Sequence, residues 1–316
     1  MSASEALPTR VGVGLTGKKY HGQRGSLTLR RQALLQFLTL LVLFTVMFPI
    51  LWIISLSLDP LNRSRPDGLN LIPAGATLES YFQVIAQPTN NPISFIELAF
   101  NSMKIALSTS FFSVMIGVFA AYAFSRLHFG LRELLMLAIL AVLMLPTVAT
   151  LAPLFTLLNQ VDLSLPLLGE FNLRDSIMGV CLAVISGLLP FAIWNLKGYL
   201  DTIPKDLEEA ASVDGASTNQ TFWRVILPLA VPALAVTAFL GFVAGWTEFY
   251  FSWMFLSKPE DFTLAMALTA MQGQFASTPW SAFAAFAILF AIPPAVAYLL
   301  AQKYITSGLA VGAVKG

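Results

Sequence analysis

Ile203-Pro204-Lys205-Asp206-Leu207-Glu208-Glu209-Ala210-Ala211-Ser212-Val213-Asp214-Gly215-Ala216-Ser217 lies between two long uncharged runs and is too polar to cross a membrane. Pro204 suits the first turn of a helix, because its missing N–H would find no partner there anyway. Asp206, Glu208 and Glu209 load the early turns with negative charge, which the helix dipole favours. Leu207, Ala210 and Ala211 fall on one face at i, i+3 and i+4. Gly215 fits the left-handed stop after a short helix. Ser217 and Gln220 form a capping box that opens a second helix, through Phe222 and Val225 to Leu227-Pro228. The pattern predicts a short helix, a sharp turn and a second helix. One small apolar face lies beside acidic groups, a shape suited to a partner's socket. Glu209 is placed to pair with an arginine there.

On either side, charge is scarce. Residues 33–58, 105–125, 134–158, 176–196, 225–247 and 280–302 contain no Asp, Glu, Lys or Arg. The first run alone gives about 39 Å of helix, enough to cross a ~30 Å hydrocarbon core. It is too long and too far from the start for a cleavable signal, so it predicts a retained span. Only 11% of the 316 residues are charged, against about 25% in soluble domains. That leaves too little polar surface for a water-soluble globule. The expectation is an all-α polytopic membrane protein with six transmembrane helices: a tail at 1–32, a membrane domain at 33–302 holding the polar loop 198–228, and a tail at 303–316.

Lys and Arg set the orientation. With the N-terminus in the cytoplasm, the inner segments carry thirteen and the outer ones four. Both termini are therefore expected inside. Prolines at 49, 146, 153, 190, 232, 293 and 294 fall within the runs and are expected to bend the helices that hold them.

Other signals are weaker. The net charge of +1 excludes a polybasic nucleic-acid reader. Gly12-Val13-Gly14-Leu15-Thr16-Gly17 imitates a phosphate loop, but no strand precedes it and Lys19 stands where Ser or Thr should hold Mg²⁺. His21, His128 and Cys181 are too few and too scattered for a metal site. No nucleophile motif is present. Neither cofactor nor catalysis is expected in this chain. Lys104 is expected to snorkel at an interface. Glu248, among aromatic residues at the end of the fifth apolar stretch, is a candidate for the translocation path or for helix packing.

The series Glu209-Ala210-Ala211, three residues, Gly215, nine residues, Val225, one residue, Leu227-Pro228 resembles the EAA loop of ABC importer permeases, with Val225 where isoleucine is usual. Further matches are Gly245-Trp246-Thr247-Glu248-Phe249, Phe262-Thr263-Leu264, Gln272-Gly273-Gln274-Phe275 and the glycine- and alanine-rich tail at 308–316. These are similar to carbohydrate-importer permeases of the maltose second-subunit type. The resemblance covers residues 33–316. It implies the type I importer permease fold and a heterodimer with a homologous permease. It also implies two ATPase subunits that bind ATP and Mg²⁺, an extracytoplasmic binding protein or lipoprotein, and a sugar or related solute. The ATPase dock would be Leu207, Glu208, Glu209, Ala210, Ala211, Asp214 and Gly215. Gln272, Gly273 and Gln274 would touch the binding protein. An ion-coupled secondary transporter is the alternative, though such proteins usually carry more than one buried acid.

Overall fold

The computed structural model describes residues 29–62, 72–165, 169–272 and 278–312. Residues up to Leu51 form one unit and residues from Trp52 onward form a second. Helix α1 (Leu29–Ser57) begins in the first unit. Its apolar side chains there are exposed, as expected of a helix whose solvent is lipid. The Thr39 and Thr45 hydroxyls donate back to the Leu35 and Leu41 carbonyls at 2.8 Å, so neither is left unpaired in an apolar medium.

In the second unit, α2 (Glu79–Ala86) precedes α3 (Phe95–Arg126). Ser94 and Glu97 cap α3 reciprocally. Next come α4 (Arg132–Leu143), α5 (Thr147–Asn159), and an antiparallel hairpin of β1 (Asp162–Leu165) and β2 (Gly169–Asn172), with Asp162 opposite Asn172. Then follow α6 (Ile177–Leu200), α7 (Asp206–Val213) and α8 (Thr218–Thr221). A wide π turn over Phe222–Ile226 leads into α9 (Leu227–Leu229) and α10 (Val231–Trp246). The chain ends through α11 (Tyr250–Phe255), α12 (Leu264–Ala270) and α13 (Trp280–Gly312).

α3 is the central helix, packed chiefly against α6 and α10. Small residues permit the approach. A Cβ on Gly245 would stand 2.7 Å from the Ala106 Cα, and one on Gly241 would stand 2.9 Å from the Ser110 Cα. Glycines four apart thus let two backbones touch, which matters in lipid because burial from water no longer drives helices together. The Ser110 hydroxyl donates to the Ala238 carbonyl at 2.8 Å, and Asn195 donates to the Thr237 hydroxyl at 3.1 Å, so polar bonds cross both sides of α10.

Among the described residues α1, α3, α6, α13 and the stretch Val231–Phe255, which joins α10 and α11, are long and apolar enough to span a membrane, with a sixth span if α4 and α5 count as one. That pair refines an expectation. The uncharged run at 134–158 reads as a single span, but the chain bends by 102° between Leu143 and Thr147. Pro146 has no N–H to donate, and its backbone is extended at ψ 132°. Twelve and thirteen residues give about 18–20 Å each, so neither half alone crosses ~30 Å. By contrast, α1, α5, α6 and α13 continue through Pro49, Pro153, Pro190 and Pro293–Pro294. The last helix starts at Trp280 as expected and runs ten residues past Gln302. The hairpin and α12 have no counterpart in the sequence reading. The β-strands are short additions to a helical fold.

Candidate functional site

The polar loop folds largely as its chemistry dictates. α7 starts at Asp206, so Pro204 precedes the helix rather than sitting inside its first turn. Gly215 has φ +83°, the Ala216 N–H donates to the Ala211 carbonyl at 2.9 Å, and the Gly215 N–H donates to the Ser212 carbonyl at 3.0 Å. This pair of bonds is the Schellman stop that satisfies the last carbonyls of a helix. Ser217 then accepts from the Gln220 N–H at 3.3 Å, and Gln220 Oε1 accepts from the Ser217 N–H at 2.8 Å. Both halves of the capping box are present.

No residue of α7 is buried. Leu207, Glu209, Ala210, Asp214 and Gly215 are exposed, Ala211 and Glu208 are half-buried, and Val213 is 88% exposed. Glu209 makes no side-chain bond with any described residue. Glu208 differs, because it turns inward and pairs with Arg126 at the end of α3. The Arg126 guanidinium also donates to the Ile203 carbonyl at 2.9 Å and to the Ser125 hydroxyl at 3.1 Å. Ser125 donates to one Asp201 oxygen at 2.6 Å, and Lys197 donates to the other at 2.6 Å. A continuous chain of charge-assisted bonds therefore ties α7 to the ends of α3 and α6. Burial alone would raise the Asp201 carboxyl. The bonds from Lys197 and Ser125, with the charges of Lys197 and Arg126, outweigh it and hold that carboxyl below its usual range. Arg126, Ser125, Asp201 and Lys197 are absent from the site read in the sequence. The available signal was a cation and a serine ending an apolar run opposite an acidic loop.

Glu248 stands between α10 and α11, where the fifth run breaks, rather than inside a continuous helix. It is 9% exposed. One carboxylate oxygen accepts from the Phe251 N–H at 2.6 Å, and the other accepts from the Ser252 N–H at 2.9 Å and from the Ser252 hydroxyl. The side chain thus caps the first turn of α11. It also lines a cavity of about 300 Å³ with Thr147, Gly187, Leu188 and Thr247.

Gln272 is exposed just after α12, and Gly273 and Gln274 lie outside the described residues. Lys104 is exposed. Its ammonium donates to Asn101 at 3.1 Å and sits 4.7 Å from the centre of the Phe100 ring. Asn101 in turn donates to the Glu260 and Phe262 carbonyls at 2.7 and 3.1 Å, which fastens α3 to the segment before α12.

Residues 113–311 match the family described as "Binding-protein-dependent transport system inner membrane component". The chain is 34% identical over 290 residues to the galactooligosaccharides transport system permease protein GanQ of Bacillus subtilis (strain 168), covering 91% of this chain and 98% of that one. It is 35% identical over 289 residues to the trehalose transport system permease protein SugB of Mycobacterium tuberculosis (strain CDC 1551 / Oshkosh), covering 91% and 99%. The trehalose/maltose transport system permease protein MalG of Thermococcus litoralis shares 34% over 279 residues, covering 88% of this chain and 94% of that one. Its fold is similar to a chain in the crystal structure of a bacterial ABC transporter involved in the import of the acidic polysaccharide alginate. There the TM-score is 0.70 at 22% identity, covering 89% of this chain and 98% of that chain. Apolar helices of spanning length, the fold they build and relatives that match nearly end to end agree, and the chain belongs to the inner-membrane components of binding-protein-dependent transport systems, as a multi-pass membrane protein.

Proposed function

We propose that this chain is a permease subunit of an ATP-driven carbohydrate importer. It encloses one translocation path with a homologous permease and docks on ATPase subunits through α7. An extracytoplasmic binding protein delivers the solute near the loop at 272–274. ATP and Mg²⁺ belong to the ATPases, and no covalent chemistry occurs in this chain. Both termini lie in the cytoplasm, on the strength of the Lys and Arg asymmetry. In this reading residues 1–32 and 303–316 are tails, 33–302 form the permease domain and 198–228 form its coupling loop. Relatives named for galactooligosaccharide, trehalose and maltose transport support a sugar as the solute.

The observation that carries the reading is the division of labour on α7. Its inner side is braced through Glu208, while Leu207, Glu209 and Ala210 stand clear. A helix held at its root and bare at its face can be pushed by a partner without being pushed out of place. The brace then passes the displacement through Arg126 to α3 and through Ser125 and Asp201 to α6. Ion coupling is the weaker rival, because the Glu248 carboxylate is already engaged by three donors.

Reversing Glu209 to lysine tests the dock. The variant should fold and insert normally yet lose co-purification of the ATPase and ATP-dependent uptake. Normal uptake with the ATPase still bound would defeat the proposal. Glu208→Gln tests the brace: the ATPase should still bind and hydrolyse ATP, with less solute moved per ATP.

A further inference from the structure

A cavity of about 490 Å³ opens beside the brace, walled by Ser125 and Arg126 at the end of α3, Arg132 at the start of α4, and Asp201 to Lys205 between α6 and α7. Its charges do not cancel. Arg126 is taken up by Glu208, and Asp201 by Lys197. Arg132 and Lys205 also face the cavity, and neither side chain has a hydrogen bond or ion pair among the described residues. Glu133 and Asp206 follow them in sequence but form no part of the wall. Two uncompensated cations therefore share one hollow.

The surroundings say what kind of anion fits. The apolar helix α3 ends at Arg126, α6 ends at Leu200, and α4 starts at Arg132, so the hollow sits at the level where apolar helices stop. Next along the chain from the wall residues Arg126 and Arg132, Leu127, Leu131, Leu134 and Leu135 expose 48, 61, 62 and 44% of their surface. A ligand here meets positive charge at one end and a strip of leucine at the other. Basic pockets between helices at the cytoplasmic boundary suit anionic headgroups, and a neighbouring apolar strip suits acyl chains. The geometry points to a binding site for the phosphate headgroup of an anionic phospholipid, held by Arg132 and Lys205 with its chains along α4. An acidic side chain of a partner protein would satisfy the charge but would leave the leucines bare. The bound headgroup would sit against Pro204 and Lys205, immediately before α7.

The test uses the full chain with its co-purified partners, in nanodiscs holding equal amounts of phosphatidylglycerol and phosphatidylcholine. Lipid retained after transfer to mild detergent is read by native mass spectrometry. Each cation near an anionic surface contributes about 5-fold, so the two should retain phosphatidylglycerol roughly 30-fold over phosphatidylcholine. Arg132→Gln or Lys205→Gln alone should lower the preference about 5-fold, the double variant should abolish it, and Arg132→Lys should keep it. Neither side chain has a hydrogen bond or ion pair among the described residues, so thermal unfolding should not move. Equal retention of the two lipids, or a preference that survives in the double variant, overturns the assignment. So does excess inorganic phosphate that binds the chain and releases the lipid, which would mark a site for a free oxyanion. A carbodiimide cross-link from Lys205 to a carboxylate of a partner protein would likewise overturn it. The measurement needs neither ATP nor solute, so its outcome is separate from that of the transport proposal.

Discussion

Between α7 and α8 the chain turns on Gly215 and Ser217, and between α10 and α11 it turns on Thr247 and Glu248. Both turns stop one helix and start another within a few residues. The first is exposed to solvent, and local chemistry suffices: a glycine at positive φ closes one helix and a serine caps the next. Loose backbone groups there can also turn to water. At the second, Thr247 is exposed, but Glu248 and the residues whose N–H groups need acceptors, Phe251 and Ser252, are buried, where an unpaired N–H has no such outlet. A carboxylate from the chain itself supplies the acceptors, and Glu248 is consumed in doing so. Glu209, beside the exposed turn, makes no such bond among the described residues. Burial of the break, more than the presence of an acid, decides whether the acid is spare for a partner.

The sharpest way to break this contrast is Glu248→Ala. It would leave two backbone N–H groups and the Ser252 hydroxyl without their acceptor in a buried place. Each such loss costs about 1–3 kcal/mol, so the sum should exceed about 3 kcal/mol. The expected result is a sharply lower midpoint of unfolding in detergent, with poor recovery from membranes. Glu248→Gln should fall between, because one amide oxygen still accepts while the NH₂ faces donors. A Glu248→Ala chain that melts like the parent but cannot transport would make Glu248 a pathway residue, and the contrast with Glu209 would fail.

The exposed break should respond less. Gly215→Ala forces a Cβ into the left-handed region at φ +83°, although nothing else lies within 4 Å of it. The cost is then conformational alone, about 1–2 kcal/mol. Proteolysis between α7 and α8 should quicken while the midpoint of the whole domain moves little. Equal losses of global stability from Gly215→Ala and Glu248→Ala would show that the two breaks are not energetically distinct.

What was legible in the sequence follows the same division. The stop at Gly215, the box at Ser217 and Gln220 and the start at Trp280 depend on residues a few positions apart, and pattern reading finds them. The bend at Pro146 was not separable from the prolines of α1, α5, α6 and α13, because each carries the same missing donor. Only the neighbours around each helix decide whether the chain turns there. The pairing of Glu208 with Arg126 joins positions 82 residues apart, and no spacing rule reaches that far. The acidic run therefore read as a single docking face, although one of its carboxylates braces the helix and another is bare. Glu248 was legible as unusual, being an acid among aromatics. Its role as a cap depends on a helix break at 247–249 that no proline marks.

The smallest effect concerns the brace under acid. The folded Asp201 carboxyl titrates below its ordinary value of 3.8. A depressed pKa means the folded state binds the proton less readily than the unfolded chain does. Its stabilising contribution is therefore complete above about pH 4 and fades as pH falls through the folded value. Asp201 is 42% exposed, so solvent screens the pair with Lys197 and the loss should stay below about 1 kcal/mol. Asp201→Asn should mimic the acid state at neutral pH. It should also flatten the pH dependence of unfolding below pH 4 relative to the parent. If the brace passes motion from α7 to α6 through this residue, the variant should move less solute per ATP even though its stability barely changes. Tight coupling in Asp201→Asn would confine the path from α7 to Arg126 and α3.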